Sequence, residues 1–161
     1  MPYCELNGTQ LYYETFGRAR PDRPPLLLIH GATGTGAAEW GHIAPLLARD
    51  YHVIVPDCRG HGRSPNPQHT YRFAEMADDL AALIRALGHP RAHVIGHSNG
   101  GNVALTLLLE HPDTVQCAVL GHSKKINCPA IKPPTARCGQ STFPNQVPVQ
   151  SGLPARPSPW W

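Results

Sequence analysis

The 161-residue sequence predicts an α/β fold with a doubly wound, mostly parallel sheet, and three observations carry that prediction. Short runs with apolar residues on both faces recur along the chain, as buried parallel strands require: Leu26-Leu27-Leu28-Ile29, Val53-Ile54-Val55 and Val94-Ile95 after His93. Between them lie stretches whose apolar residues fall at helical spacing. Strand and helix signals therefore alternate, which is the pattern of βαβ units.

Taken in order, residues 3–16 read as two short strands around the Asn7-Gly8 turn. Leu11, Tyr13 and Thr15 alternate there against Tyr12, Glu14 and Phe16. Pro24-Pro25 leads into the first buried strand, followed by a glycine-rich loop from His30 to Gly36. Trp40, Ile43, Leu46 and Leu47 then predict an amphipathic helix, and the next strand ends at Pro56-Asp57. Phe73, Met76, Ala77, Leu80, Leu83, Ile84 and Leu87 mark one helix face, and Gly88 and Pro90 stop that helix. After the strand at His93, a helix from about Asn99 to Glu110 is halted by His111-Pro112, and Val115 to Leu120 is a last strand.

Composition narrows the function classes. An apolar content of 41% suffices for one core, and no apolar run approaches the ~20 residues that span a bilayer. The start, Met1-Pro2-Tyr3-Cys4-Glu5, has neither the basic nor the apolar region of a secretory signal. Five cysteines without a CxxC spacing read as free thiols of a reducing compartment, so a cytoplasmic location is expected. Charge is uneven. In residues 1–121 nine arginines against eleven acids leave −2, whereas three lysines and two arginines in residues 122–161 leave +5, together the formal +3. That basic segment carries no acid and eight of the eighteen prolines, lacks any periodicity, and reads as a disordered tail behind a 1–121 domain. Its charges are sparse, with no aromatic residue among them before Phe143, so neither nucleic acid nor membrane is expected as a partner.

Three stretches carry chemistry. Gly96-His97-Ser98-Asn99-Gly100 is a GxSxG string that leaves a buried strand and opens a helix, the setting of a nucleophile elbow. A serine at the tip of that turn is held at strained dihedrals, and side chains two residues either side, at Gly96 and Gly100, would collide. The elbow supplies one oxyanion donor, the N–H of Asn99. The loop at His30-Gly31-Ala32-Thr33 offers the second, the N–H of Ala32. The third stretch, Asp57-Cys58-Arg59-Gly60-His61-Gly62-Arg63-Ser64, follows the next strand.

With these three stretches in place, residues 1–120 resemble the α/β-hydrolase family, in particular its small serine esterase, lactonase and haloperoxidase-like branch. The resemblance implies a serine nucleophile, Ser98, and an acyl-enzyme route on a small ester, lactone or thioester without a cofactor. It also implies that the D-x-R-G-x-G-x-S loop is structural, so that Asp57 is not the catalytic acid and Arg59 pairs with Asp57 or braces the loop. In that family the acid and then the histidine follow the serine in chain order. Here the acids after Ser98 are Glu110, expected to be buried at a helix end, and Asp113; beyond Gly121 there is no acid and one histidine, His122. Neither a triad acid nor a triad histidine is identified, and the fold is expected to stop after about its sixth strand. Two function classes follow: a serine hydrolase with impaired turnover, or a non-catalytic fragment or interaction module. Val115 to Leu120 would then be an edge strand open to self-association.

Other readings weigh less. Gly34-x-Gly36 with Asp57 about twenty residues on imitates a dinucleotide fingerprint, but Glu39 occupies its third glycine position. His97 adjoins the serine, yet neighbouring strand residues point to opposite faces. His42, His52, His69, His89, His93 and His111 read as surface or satisfied histidines, and no His, Cys, Asp or Glu cluster has metal-ligand spacing.

Overall fold

The computed structural model describes residues 2–121. The expected tail at 122–161 and His122 lie outside the described residues. The elements are β1 (Tyr3–Leu6), β2 (Thr9–Phe16), β3 (Leu26–Ile29), α1 (Gly36–Trp40), α2 (Ala44–Leu47), β4 (Val53–Pro56), α3 (Phe73–Ala86), β5 (Ala92–His97), α4 (Asn99–Glu110), a 3₁₀ turn (Pro112–Thr114) and β6 (Val115–Gly121).

Asn7 and Gly8, both at positive φ (48° and 74°), turn β1 into β2. The six strands form one sheet in the order β1-β2-β4-β3-β5-β6. β1–β2 and β2–β4 pair antiparallel, whereas β4–β3, β3–β5 and β5–β6 pair parallel. The sheet is thus the mostly parallel one that the buried apolar runs predict, and every residue of β3 and β4 is buried. Among the described residues β6 pairs with β5 alone, and its Val119 is 56% exposed.

Two apolar layers sandwich the sheet. Leu27, Ile29 and Ile54 face α3 and α4 through Met76, Leu80, Leu83, Ile84, Val103 and Leu107. On the other face Leu26, Leu28, Val53 and Val55 pack with Ala44, Trp40 and Leu47. β3 has β4 on one side and β5 on the other, so the chain changes direction across the sheet at β3. In open α/β sheets the crevice beyond the strand carboxyl ends at such a point is where ligands bind.

The expected helix through Trp40, Ile43, Leu46 and Leu47 is instead two short helices. Pro45 has no N–H, and its ring would strike the carbonyl four residues back, so helix geometry must restart just before it. Restarting turns Ile43 and Leu46 outward and Ala44 inward.

A buried ion pair corrects a second expectation. Arg59 does not pair with Asp57. Its Nε and Nη2 donate to the two oxygens of Asp79 in α3 at 2.6 and 2.7 Å, with Glu75 at 3.4 Å. Asp57 is occupied elsewhere: it accepts the N–H groups of Gly36 at 2.7 Å and Arg63 at 3.0 Å. Arg59 therefore braces its loop against a helix, and Asp79 holds the guanidinium above its ordinary pKa. Glu110, expected buried, is exposed.

Candidate active site

β5 ends at His97, and Ser98 makes the turn into α4 with φ 53° and ψ −117°. That conformation lies outside the regions open to ordinary residues, and it is held because the elements on both sides are packed. The Ser98 N–H donates to Gly121 O at 2.7 Å, and Ser98 O accepts from Gly101 N–H at 3.0 Å. The flanking glycines meet the steric need read from the sequence. A Cβ on Gly96 would overlap the Gly100 carbonyl oxygen and stand 2.8 Å from Gly101 N. One on Gly100 would stand 2.6 Å from His30 O, so α4 begins directly against the end of β3.

The His30–Gly36 loop leaves β3 at this point. A Cβ on Gly31 would touch Ser98 Cβ at 3.4 Å, so the loop that offers Ala32 lies against the serine. Asn99 is the first residue of α4, and its N–H has no acceptor within the helix. Ser98 and the His30-Gly31 and Asp57 loops all sit at the carboxyl ends of β5, β3 and β4. The site thus occupies the crevice where the chain changes direction. A cavity of about 530 Å³, lined by residues such as Arg23, His89 and Gln116, opens at the opposite end of the strands and does not include Ser98.

Three side chains support these loops, and each acts across a long sequence separation. Buried His30 accepts the Cys58 N–H on Nε2 at 3.0 Å, while its Nδ1 lies 2.7 Å from Gly31 O. The imidazole is thereby the Nδ1–H tautomer that ties the loop after β3 to the loop after β4. Desolvation lowers its pKa from the ordinary 6.5. His61 bridges the same loops, with Nε2 at 2.9 Å from Ala32 O and Nδ1 at 3.0 Å from Arg59 O. Glu39 in α1 accepts the Gly31 N–H on Oε2 at 2.8 Å and meets His97 Nδ1 with Oε1 at 2.7 Å. One carboxylate thus joins the loop after β3 to the residue before the serine.

Glu39 and His61 are the residues that sequence reasoning passed over. Glu39 stood only as an objection to dinucleotide binding, and no local pattern marks a partner 58 residues away. Cys58 is no rival nucleophile. Its thiol is buried and pushed up to about 12, chiefly by desolvation, and it is the backbone N–H of Cys58 that meets His30.

Among the described residues no side chain hydrogen-bonds Ser98 Oγ. The elbow and its neighbouring loop are in place, but nothing described stands ready to take the hydroxyl proton.

An elbow serine at the carboxyl edge of a doubly wound sheet, facing a glycine loop from the adjacent strand, defines a class of hydrolytic enzymes. The sequence profile of the alpha/beta hydrolase fold matches residues 24–136, and the chain belongs to that family. It is 41% identical over 97 residues to a fluoroacetate dehalogenase from Burkholderia sp., covering 57% of this chain and 32% of the relative. It is 36% identical over 111 residues to a soluble epoxide hydrolase from Corynebacterium sp. (strain C12), covering 69% and 37%. Est816, an N-acyl homoserine lactone degrading enzyme, superposes with a TM-score of 0.66 at 37% identity, over 73% of this chain and 43% of Est816. The chain spans less than half the length of each of these relatives. No helix among the described residues is long and apolar enough to cross a membrane.

Proposed function

We propose that Ser98 is the nucleophile of a serine hydrolase acting on a small carboxylic ester, lactone or thioester. Its Oγ attacks the acyl carbon and its proton passes to the departing alkoxide or thiolate, which in a lactone stays tethered to the acyl group; water then hydrolyses the acyl-enzyme to the free acid. The N–H groups of Asn99 and Ala32 would hold the oxyanion that forms in the attack. The observation that carries this reading is the strained Ser98 turn pressed against the Gly31 loop at the carboxyl edge of β3 and β5. A serine there favours acyl transfer, and the structural neighbour Est816 is an N-acyl homoserine lactone degrading enzyme.

Turnover by this chain is expected to be impaired. Attack requires a base on Oγ, and loss of the base alone costs on the order of 10⁶ in kcat in serine enzymes. That no described side chain hydrogen-bonds Oγ also favours a second reading, a non-catalytic fragment.

Fluorophosphonate labelling separates the two, with exogenous imidazole supplied as a surrogate base. The hydrolase reading expects slow labelling that imidazole accelerates and Ser98→Ala abolishes. Labelling that survives Ser98→Ala overturns the nucleophile assignment. No adduct even with imidazole establishes the non-catalytic reading, and rapid stoichiometric labelling without imidazole refutes the impairment.

A further inference from the structure

Three donors from distant positions meet on the exposed surface where α3 passes the end of α4. They are Asp78 from α3, Glu110, the last residue of α4, and His111, its cap. One donor atom from each lies within 4.8 Å of the others. No sequence spacing announces this cluster, because Asp78 stands more than thirty residues from the other two; the packing of α3 on α4 creates it.

The three donors are unequally satisfied. His111 Nε2 lies 2.7 Å from Asp78 Oδ1. Glu110 has no hydrogen bond or ion pair among the described residues, although its carboxylate adjoins that of Asp78. Among the described residues no arginine forms a salt bridge with either carboxylate, although the Arg59 guanidinium lies near enough to Asp78 to interact with it electrostatically. The carboxyl end of α4 adds the negative end of its dipole. The cluster therefore brings two carboxylates to one imidazole nitrogen.

We propose that Asp78, Glu110 and His111 form a divalent transition-metal site, suited to Zn²⁺. Imidazole nitrogen and carboxylate oxygen are ligands of this borderline ion, which takes them at about 2.0–2.2 Å. All three side chains reach solvent, so they can close on an ion by rotation about their side-chain bonds without moving the backbone. Three protein ligands leave one tetrahedral position for water. The site is remote from Ser98, since the twelve residues of α4 separate them by about 18 Å. A bound ion would pin α3 to α4, the two helices that cover one face of the sheet.

The test is a Co²⁺ and Zn²⁺ titration of the full 161-residue chain, alongside His111→Ala and Glu110→Gln. Both substitutions fall outside the core and outside the Ser98 site. One equivalent of metal should bind and raise the melting temperature. Bound Co²⁺ should show no thiolate charge-transfer band, because no cysteine takes part. His111→Ala should weaken binding at least tenfold and abolish the rise in melting temperature, and Glu110→Gln should weaken binding to a lesser degree. Binding unchanged in His111→Ala overturns the site. So does a thiolate band, or no binding up to about 1 mM metal.

Discussion

Replacing Asp79 by alanine tests whether the loop beneath the site depends on a buried ion pair. In the folded chain Arg59 and Asp79 are 4% and 1% exposed, and two hydrogen bonds of 2.6 and 2.7 Å join them. Asp79→Ala leaves the guanidinium out of water with Glu75, at 3.4 Å, as its remaining partner. Breaking a buried pair from one side typically costs 3–5 kcal/mol, and the surviving carboxylate argues for the lower end, about 3 kcal/mol. A domain of this size has roughly 5–15 kcal/mol in all. Unfolding entropy near 2.1 cal/mol/K per residue over about 120 residues converts that loss into a fall in Tm of about 12 °C. Thermal and urea unfolding followed by circular dichroism would measure it. Replacing both partners by apolar residues, Arg59→Met with Asp79→Leu, should recover part of the loss, because the buried guanidinium is no longer left unpaired, while Glu75 and Asn7 Nδ2 each still lose a partner. A fall of less than about 4 °C in Asp79→Ala would refute the claim that this pair anchors the loop. The consequence reaches the site, since the His61 ring lies between Arg59 O and Ala32 O, within hydrogen-bond distance of each.

Gly96→Ala should destabilise by about 3 kcal/mol or more, because the new methyl meets the backbone of α4, which cannot move alone. Gly88→Ala, at φ 80° with open space around it, should lose only about 1 kcal/mol, so equal losses in urea unfolding would remove the steric reading of the elbow. Ser98→Gly should raise stability by about 1 kcal/mol by relieving the strained turn, and an unchanged or lower value would deny that strain. Burial lowers the His30 pKa, so the unfolded chain takes up protons first: stability is full above about 6.5 and is lost as pH falls through 6.5 toward the lower folded value. His52 and His89, also lowered by burial, add to the same slope. His30→Gln should flatten the slope in part, and a slope identical to wild type would show that His30 is not held neutral.

Most of the fold was legible in the sequence because its signals are local. Leu26–Ile29 and Val53–Val55 are apolar on both faces, and a strand buried on both faces admits little else. The α3 stripe from Met76 to Ile84 repeats at 3.6 residues because a helix buries a single face. The GxSxG string was legible for the same kind of reason, since a turn that folds a helix back onto its strand leaves no room for a Cβ at Gly96 or Gly100. The break at Pro45 could have been read as well, for proline acts on its own neighbours.

Partner choice was decided by tertiary structure. Nothing local told Arg59 to prefer Asp79 over Asp57, two residues away. That choice depended on where α3 docks and on the backbone N–H groups of Gly36 and Arg63 having already claimed the Asp57 carboxylate. Glu39 met Gly31 and His97, and Asp78 met Glu110 and His111, for the same reason. A side chain's period along the chain records which face it shows, whereas its charge partner is set by packing that brings together residues tens of positions apart.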